Sequence, residues 1–154
     1  MKHALYALLL SLTVLGCEAS RKPALFDNPD PRLRKTMEEF AADARQRHPY
    51  PTNAPRVASS TPVARAQVHY GMIKKIDIRN LTSDPIQNVE VWVDRRFVCF
   101  LPEMEPGIIK RIDFRMLFDA DGNAYAVTPT RPVVERVELL VGGKLHQVPV
   151  QFAD

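Results

Sequence analysis

The stretch from Asn88 to Leu101, NVEVWVDRRFVCFL, constrains the fold of this chain more than any other. Val89, Val91 and Val93 alternate with Glu90, Trp92 and Asp94. Successive side chains of a strand point to opposite faces, so this period of two suits a half-buried strand and not a helix. Asp94-Arg95-Arg96 is a short polar break, and Phe97-Val98-Cys99-Phe100-Leu101 is a second β-rich run. Two such runs across a short polar gap predict a β-hairpin. The valines give its first strand one core face, while Trp92 and Glu90 point the other way. The second strand is apolar on both parities, so both faces of the hairpin carry large apolar groups. One packs into the body of the fold. The other is either covered within the chain or is a binding site.

Strand and turn signals surround this hairpin from Gln67 onward. Val68, Tyr70 and Met72 alternate and Ile76 and Ile78 follow, with Ile73-Lys74 breaking the pattern as a bulge or a change of sheet would. Asn80–Pro85 (NLTSDP) and Pro102–Gly107 are turn clusters, with a strand from Ile108 to Phe114 after the second. Asp119–Asn123 is a loop and Tyr125–Val127 a short strand. Val133 to Val141 forms a long strand, and Gly142-Gly143 is a hairpin turn that suits positive φ. Leu145 to Phe152 closes the module. About seven strands with turn signals every 8–12 residues predict an all-β, antiparallel β-sandwich over residues 67–154. The run RNLTSDPIQNVEVWVDRRFVCFLPEMEPGIIKRIDF resembles the immunoglobulin-like, adhesion-type modules of bacterial surfaces: a turn before a V-x-V strand, a tight hairpin, then Pro106-Gly107 before the next strand. The resemblance implies an immunoglobulin-like sandwich and no chemistry. It departs from the pattern at Arg95, where such hairpins often carry glycine.

Residues 17–66 read as a tether with one helix. Asp30 is a good N-cap and Pro31 a good first helical residue. Leu33, Met37, Phe40, Ala41 and Ala44 then share one face of a helix running to about Arg47. That face either caps the chain's own domain or docks on a partner or a membrane. Pro49 and Pro51 end the helix, and His48 to Arg65, with four prolines, reads as an extended, disordered linker with a reach of about 55 Å. Its length allows the helix to return over the Trp92 side of the hairpin.

Residues 1–16 have the form of a secretory signal: Met1-Lys2-His3, then an apolar run from Ala4 to Leu15 too short to span a bilayer. The run ends in Val14-Leu15-Gly16-Cys17, which resembles the lipobox of bacterial lipoproteins; a chance cysteine after an ordinary signal peptide is the other reading. The resemblance implies cleavage before Cys17 and acyl chains of the palmitate type on the Cys17 thiol, an effectively stable membrane anchor. It also implies a place in the bacterial cell envelope. Glu18 follows the cysteine, not the aspartate that retains lipoproteins at the inner membrane of enteric bacteria, which points to the periplasmic side of the outer membrane in a Gram-negative organism.

The sequence offers little chemistry. Residues 67–154 carry 11 basic and 12 acidic residues, and the basic excess of the chain lies in residues 18–66 with 9 against 6. A nucleic-acid binder concentrates its basic residues on the folded surface. With Cys17 acylated, Cys99 has no partner within the chain for a disulfide and reads as a buried, inert thiol. His48, His69 and His146 lack metal-ligand spacing, and no serine stands in a nucleophile-elbow context. Asp119-Ala120-Asp121-Gly122-Asn123 begins like a calcium loop, but Thr130 stands where the twelfth-position glutamate belongs, and the same residues build ordinary turns. The expectation is a non-enzymatic binding or structural module with no cofactor and no metal site, lipidated at Cys17. Its partners are the membrane and an envelope protein, not nucleic acid. The alternative is an accessory subunit or assembly factor of an envelope enzyme or secretion complex.

Overall fold

A computed structural model describes residues 28–57, 60–126 and 133–153, and in it the Asn88–Leu101 stretch is an antiparallel hairpin. Its strands are β4 (Ile86–Val93) and β5 (Phe97–Met104). The other strands are β1 (Arg56–Val57), β2 (Ala64–His69), β3 (Lys75–Asn80), β6 (Ile109–Asp113), β7 (Val137–Val141), β8 (Lys144–Val148) and β9 (Val150–Ala153). One α-helix, α1 (Met37–Arg47), precedes them. The sheets run β1-β8-β7-β4-β5 and β6-β3-β2-β9. The fold is thus mostly β, and one apolar cluster joins the two sheets. Ala64, Ala66, Val68, Ile76, Ile78 and Ile112 come from one sheet. Val89, Val91, Val93, Leu101, Val137 and Leu139 come from the other.

The described residues hold nine strands where about seven are expected, and the sheets are mixed: β1 pairs parallel with β8, and β2 parallel with β9. Pro149 explains one difference. It has no N–H to continue a ladder, so the single closing strand expected from Leu145 to Phe152 divides there, β8 staying with β7 and β9 crossing to β2. The irregularity at Ile73-Lys74 is neither a bulge nor a change of sheet. The chain reverses through Tyr70–Lys74, and β3 returns antiparallel to β2 in the same sheet. The strand expected from Val133 begins only at Val137. Tyr125 and Ala126 are not in a strand, and Val127 lies outside the described residues. Asn80 ties the 80–84 turn through its side chain, donating to the carbonyls of Asp84 (2.8 Å) and Met104 (2.9 Å).

The helix starts later than the Asp30-Pro31 signal suggests. Those residues nucleate only a 3₁₀ turn, Pro31–Leu33. A complete capping box, Thr36 with Glu39, then starts α1. The expected apolar face is right: Leu33, Phe40, Ala41 and Ala44 are buried in the common core and Met37 packs against it. α1 lies against β5 and a second 3₁₀ turn, Phe114–Met116. Much of the expected tether is therefore part of the fold. Asn28 donates to the Arg111 carbonyl (3.2 Å), Arg56-Val57 form β1, and β2 starts at Ala64, three residues before the expected module boundary.

Candidate functional site around Glu138 and the β4–β5 turn

Trp92, Val98 and Glu138 are register partners across β4, β5 and β7 and share the face of the first sheet opposite to Val91 and Val93. Trp92 is fully buried, and Arg47 at the end of α1 reaches the same face of the hairpin, near Glu90. The chain after the helix covers it: His48 and Tyr50 meet the indole edge-on, with ring centroids 5.0 and 5.3 Å away. Trp92 Nε1 donates to Glu90 Oε2 (3.0 Å), and the Arg47 guanidinium lies over the Phe100 ring at 4.0 Å.

Beside Trp92, Glu138 is a carboxylate with no solvent exposure. Its Oε2 accepts from the Tyr50 hydroxyl (2.7 Å) and its Oε1 from Arg56 Nη1. Arg56 Nη2 also donates to the Tyr50 oxygen (2.9 Å). Arg95 Nε stands 3.6 Å from the carboxylate and Arg136 Nη1 3.8 Å, beyond good hydrogen-bond distance. Burial works to raise the Glu138 pKa, but the bonds from Tyr50 and Arg56 and the charges of Arg56 and Arg95 outweigh it and hold it below the usual glutamate value. Tyr50 moves up, through burial and the adjacent Glu138 charge.

The β4–β5 turn aims Arg95. Arg96 N donates to the Val93 carbonyl (3.1 Å) across Asp94 and Arg95, whose φ values are +51° and +57°. This is the type I′ geometry that fits strand twist and normally takes Asn or Gly. Asp94 tolerates it, and its carboxylate is fully used, accepting from Glu135 N (2.9 Å), Arg136 N (3.0 Å) and the Tyr125 hydroxyl (3.3 Å). Those bonds hold Arg136 beside the turn. Arg95 has no such compensation, and a left-handed residue with a Cβ costs about 1–2 kcal/mol. Its side chain, 47% exposed, lines two shallow clefts. One, of about 180 Å³, is shared with Asp94, Glu135 and Arg136. The other, of about 230 Å³, is shared with His48, Arg96, Asp119 and Asp121.

Three partly exposed guanidiniums, Arg56, Arg95 and Arg136, thus fan out from one buried carboxylate. Glu135 and Asp121 stand beside them, so the positive charge is confined to that fan. Guanidiniums do not exchange protons near neutral pH; they recognise carboxylate or phosphate oxygens through paired N–H donors. A larger groove, about 480 Å³ between Asn28–Arg32 and Glu105–Arg111, is different. Its charges are spent on one another, with buried Lys110 paired to Asp30 (2.8 Å) and Glu105 (2.6 Å). Bonds from Arg32 and Lys110 hold Asp30 well below the usual carboxylate range.

Of the residues singled out in the sequence, Cys17 lies outside the described residues. Cys99 is buried, and burial pushes its pKa up to about 12, so it is a thiol and not a thiolate at neutral pH. Asp119 is nearly fully buried and spends its carboxylate within the loop. Oδ1 accepts from Asp121 N (3.1 Å) and Asn123 N (2.8 Å), and Oδ2 from Arg96 Nη2 (2.8 Å). His69 Nε2 lies 3.2 Å from Asp77, and burial lowers the pKa of His146. Among the described residues no three His, Cys, Asp or Glu side chains are grouped to hold a metal ion. The sequence reading missed Tyr50, Arg56, Arg136 and Glu138. The available signal was Glu138 itself, an acid inside the apolar run VELLV. No family model, no curated protein and no solved structure matches this chain.

Proposed function

We propose that this chain is a lipoprotein of the bacterial cell envelope, anchored by acylated Cys17 and acting without catalysis. In this reading the two sheets form an immunoglobulin-like sandwich that presents the Arg56, Arg95 and Arg136 fan to an acidic segment of an envelope protein. The Val14-Leu15-Gly16-Cys17 run supports the anchor. One observation carries the binding role: Arg95 occupies a left-handed position that glycine would fill without strain, and its guanidinium stays largely outside the core. Strain retained at a turn residue whose contacts are a long 3.6 Å approach to Glu138 and the Tyr50 ring at 6.0 Å points to a role in recognition.

A photo-crosslinker placed at Glu135, beside the fan, tests the role in intact cells, with Ser83 at the opposite end of the fold as the control position. The partner should be captured from position 135 and lost in Arg95→Glu/Arg136→Glu, assayed at a temperature where circular dichroism shows the variant folded. Equal capture from both positions, or capture that survives charge reversal, refutes the reading. Cys17→Ser should abolish fatty-acid labelling and leave an uncleaved precursor. Equal labelling of wild type and variant refutes the anchor.

A further inference from the structure

The end of the molecule that carries the β4–β5 turn also carries an apolar knob. Met72 is completely exposed and Ile73 is 61% exposed, adjacent at the tip of the β2–β3 turn and followed by exposed Lys74. The knob continues around Tyr70. Phe152, 55% exposed, stacks on the Tyr70 ring at 6.2 Å. The Tyr70 hydroxyl accepts from Val134 N, which brings exposed Val133 to the same place. Tyr70 packs edge-on against Phe114 (5.9 Å), Phe114 against Tyr125 (4.8 Å), and Tyr125 bonds to Asp94 in the β4–β5 turn. The knob therefore stands on a rigid aromatic base. Fully exposed Met72 gains the fold nothing by burial, and Ile73 gains it little.

We infer that the Met72-Ile73 tip inserts into the headgroup–acyl boundary of the same bilayer that holds the anchor, so that the module lies against the membrane by this end. The inference rests on the anchor proposed above. Asn28, fixed to β6 through Arg111, follows Cys17 by only eleven residues, which span at most roughly 40 Å. Arg111 pairs with Asp77, two residues beyond the start of β3 at Lys75. At about 3.4 Å per residue the tip is then within roughly 20 Å of Asn28 along the strand direction. The remaining chain easily lets anchor and tip share one membrane. A convex tip of two large apolar side chains followed by a lysine suits a soft lipid boundary.

The test uses the full lipidated protein in phosphatidylcholine–phosphatidylglycerol vesicles, with Met72→Cys carrying an environment-sensitive fluorophore. Cys99 is buried, and Cys17 is consumed by the lipid, so labelling is confined to position 72. Ser83→Cys, in the turn at the opposite end, is the reference. The Met72 reporter should shift to the blue and be quenched by brominated acyl chains, while the Ser83 reporter does neither. Ile73→Asp should reverse the shift without lowering the melting temperature. Two results overturn the inference: a Met72 reporter as wet as the Ser83 one, or a blue shift without quenching by the lipid, which means a protein contact. Flotation reads the anchor separately. Should the protein fail to float, the chain from Glu18 carrying an N-terminal polyhistidine is held on chelating lipid at the same tether length. The same two reporters then decide whether the tip inserts.

Discussion

Glu138→Gln is the substitution that tests how residues 48–56 are held over Trp92. It keeps the shape of the side chain and removes its charge. Wild-type Glu138 accepts one hydrogen bond from the Tyr50 hydroxyl at 2.7 Å and one from Arg56. Bonds to a charged acceptor contribute about 1.5–3 kcal/mol and neutral ones about 0.5–1.5. Tyr50 can still donate to the glutamine oxygen, so that bond weakens by about 1 kcal/mol and is not lost. Arg56 is about half exposed, so water screens its pairing and it adds little. The expected loss is about 1–2 kcal/mol, a fall in melting temperature of roughly 4–10 °C for a domain of this size. Glu138→Ala should cost more, about 3–4 kcal/mol, because the Tyr50 hydroxyl and the guanidiniums then lose their common acceptor.

Two assays separate this reasoning from a general loss of packing. Trp92 is the only tryptophan. Loosening of the His48–Tyr50 cover should shift its emission to the red and raise acrylamide quenching before the global melt. The second assay is pH. The folded-state pKa of Glu138 lies below the usual 4.5, so its charge stabilises the fold fully above pH 4.5, and the contribution is lost as pH falls through the folded value. The stability gap between wild type and Glu138→Gln should therefore be constant from pH 7 down to about 5 and close below 4.5. A variant within 0.5 kcal/mol of wild type at pH 7, or a gap that widens on acidification, would refute the account.

Three further outcomes follow from the same contacts. Arg95→Gly relieves the left-handed strain and should raise stability by about 1 kcal/mol in urea melts while weakening partner capture; lower stability would mean that the 3.6 Å approach to Glu138 outweighs the strain. A fragment starting at Gln67 loses Leu33, Phe40, Ala41 and Ala44 from the core, worth about 5–7 kcal/mol by burial, so it should lack the cooperative melt shown by a chain starting at Asn28. Cys99 should react with an aromatic disulfide reagent only as the protein unfolds; rapid native-state labelling would contradict its burial.

The hairpin was legible because an alternating run is a local signal: Val89, Val91 and Val93 declare a buried face with no knowledge of what lies opposite. The apolar face of α1 was legible for the same reason. The helix start was misplaced because two caps compete within seven residues, and the Thr36–Glu39 box satisfies two backbone donors reciprocally where Asp30 supports only a single turn. The candidate site is of another kind. Tyr50, Arg95 and Glu138 are distant in sequence and meet only through the pairing of β4 with β7. No window of the sequence contains them together. The proline-rich segment misled in a specific way. Pro49, Pro51 and Pro55 do enforce an extended backbone, but an extended backbone is also what lies flat on a sheet, and composition does not tell the two apart.

That segment also answers a problem that every open sheet has. The first sheet would end at β5 and β8, and exposed strand edges invite pairing with other chains. α1 packs against β5, His48 and Tyr50 cross above β4, and Arg56-Val57 pair with β8. Phe118 bonds to Val98 on the β5 edge, and β1, two residues long, becomes the edge on the other side. In the second sheet, Asn28 bonds to the β6 carbonyl at Arg111. The other edge of that sheet is β9, four residues long, and it carries exposed Phe152 at the apolar knob. In the proposed lipoprotein the same docked segment would also keep the module within eleven residues of its anchor, since Asn28 is fixed to β6.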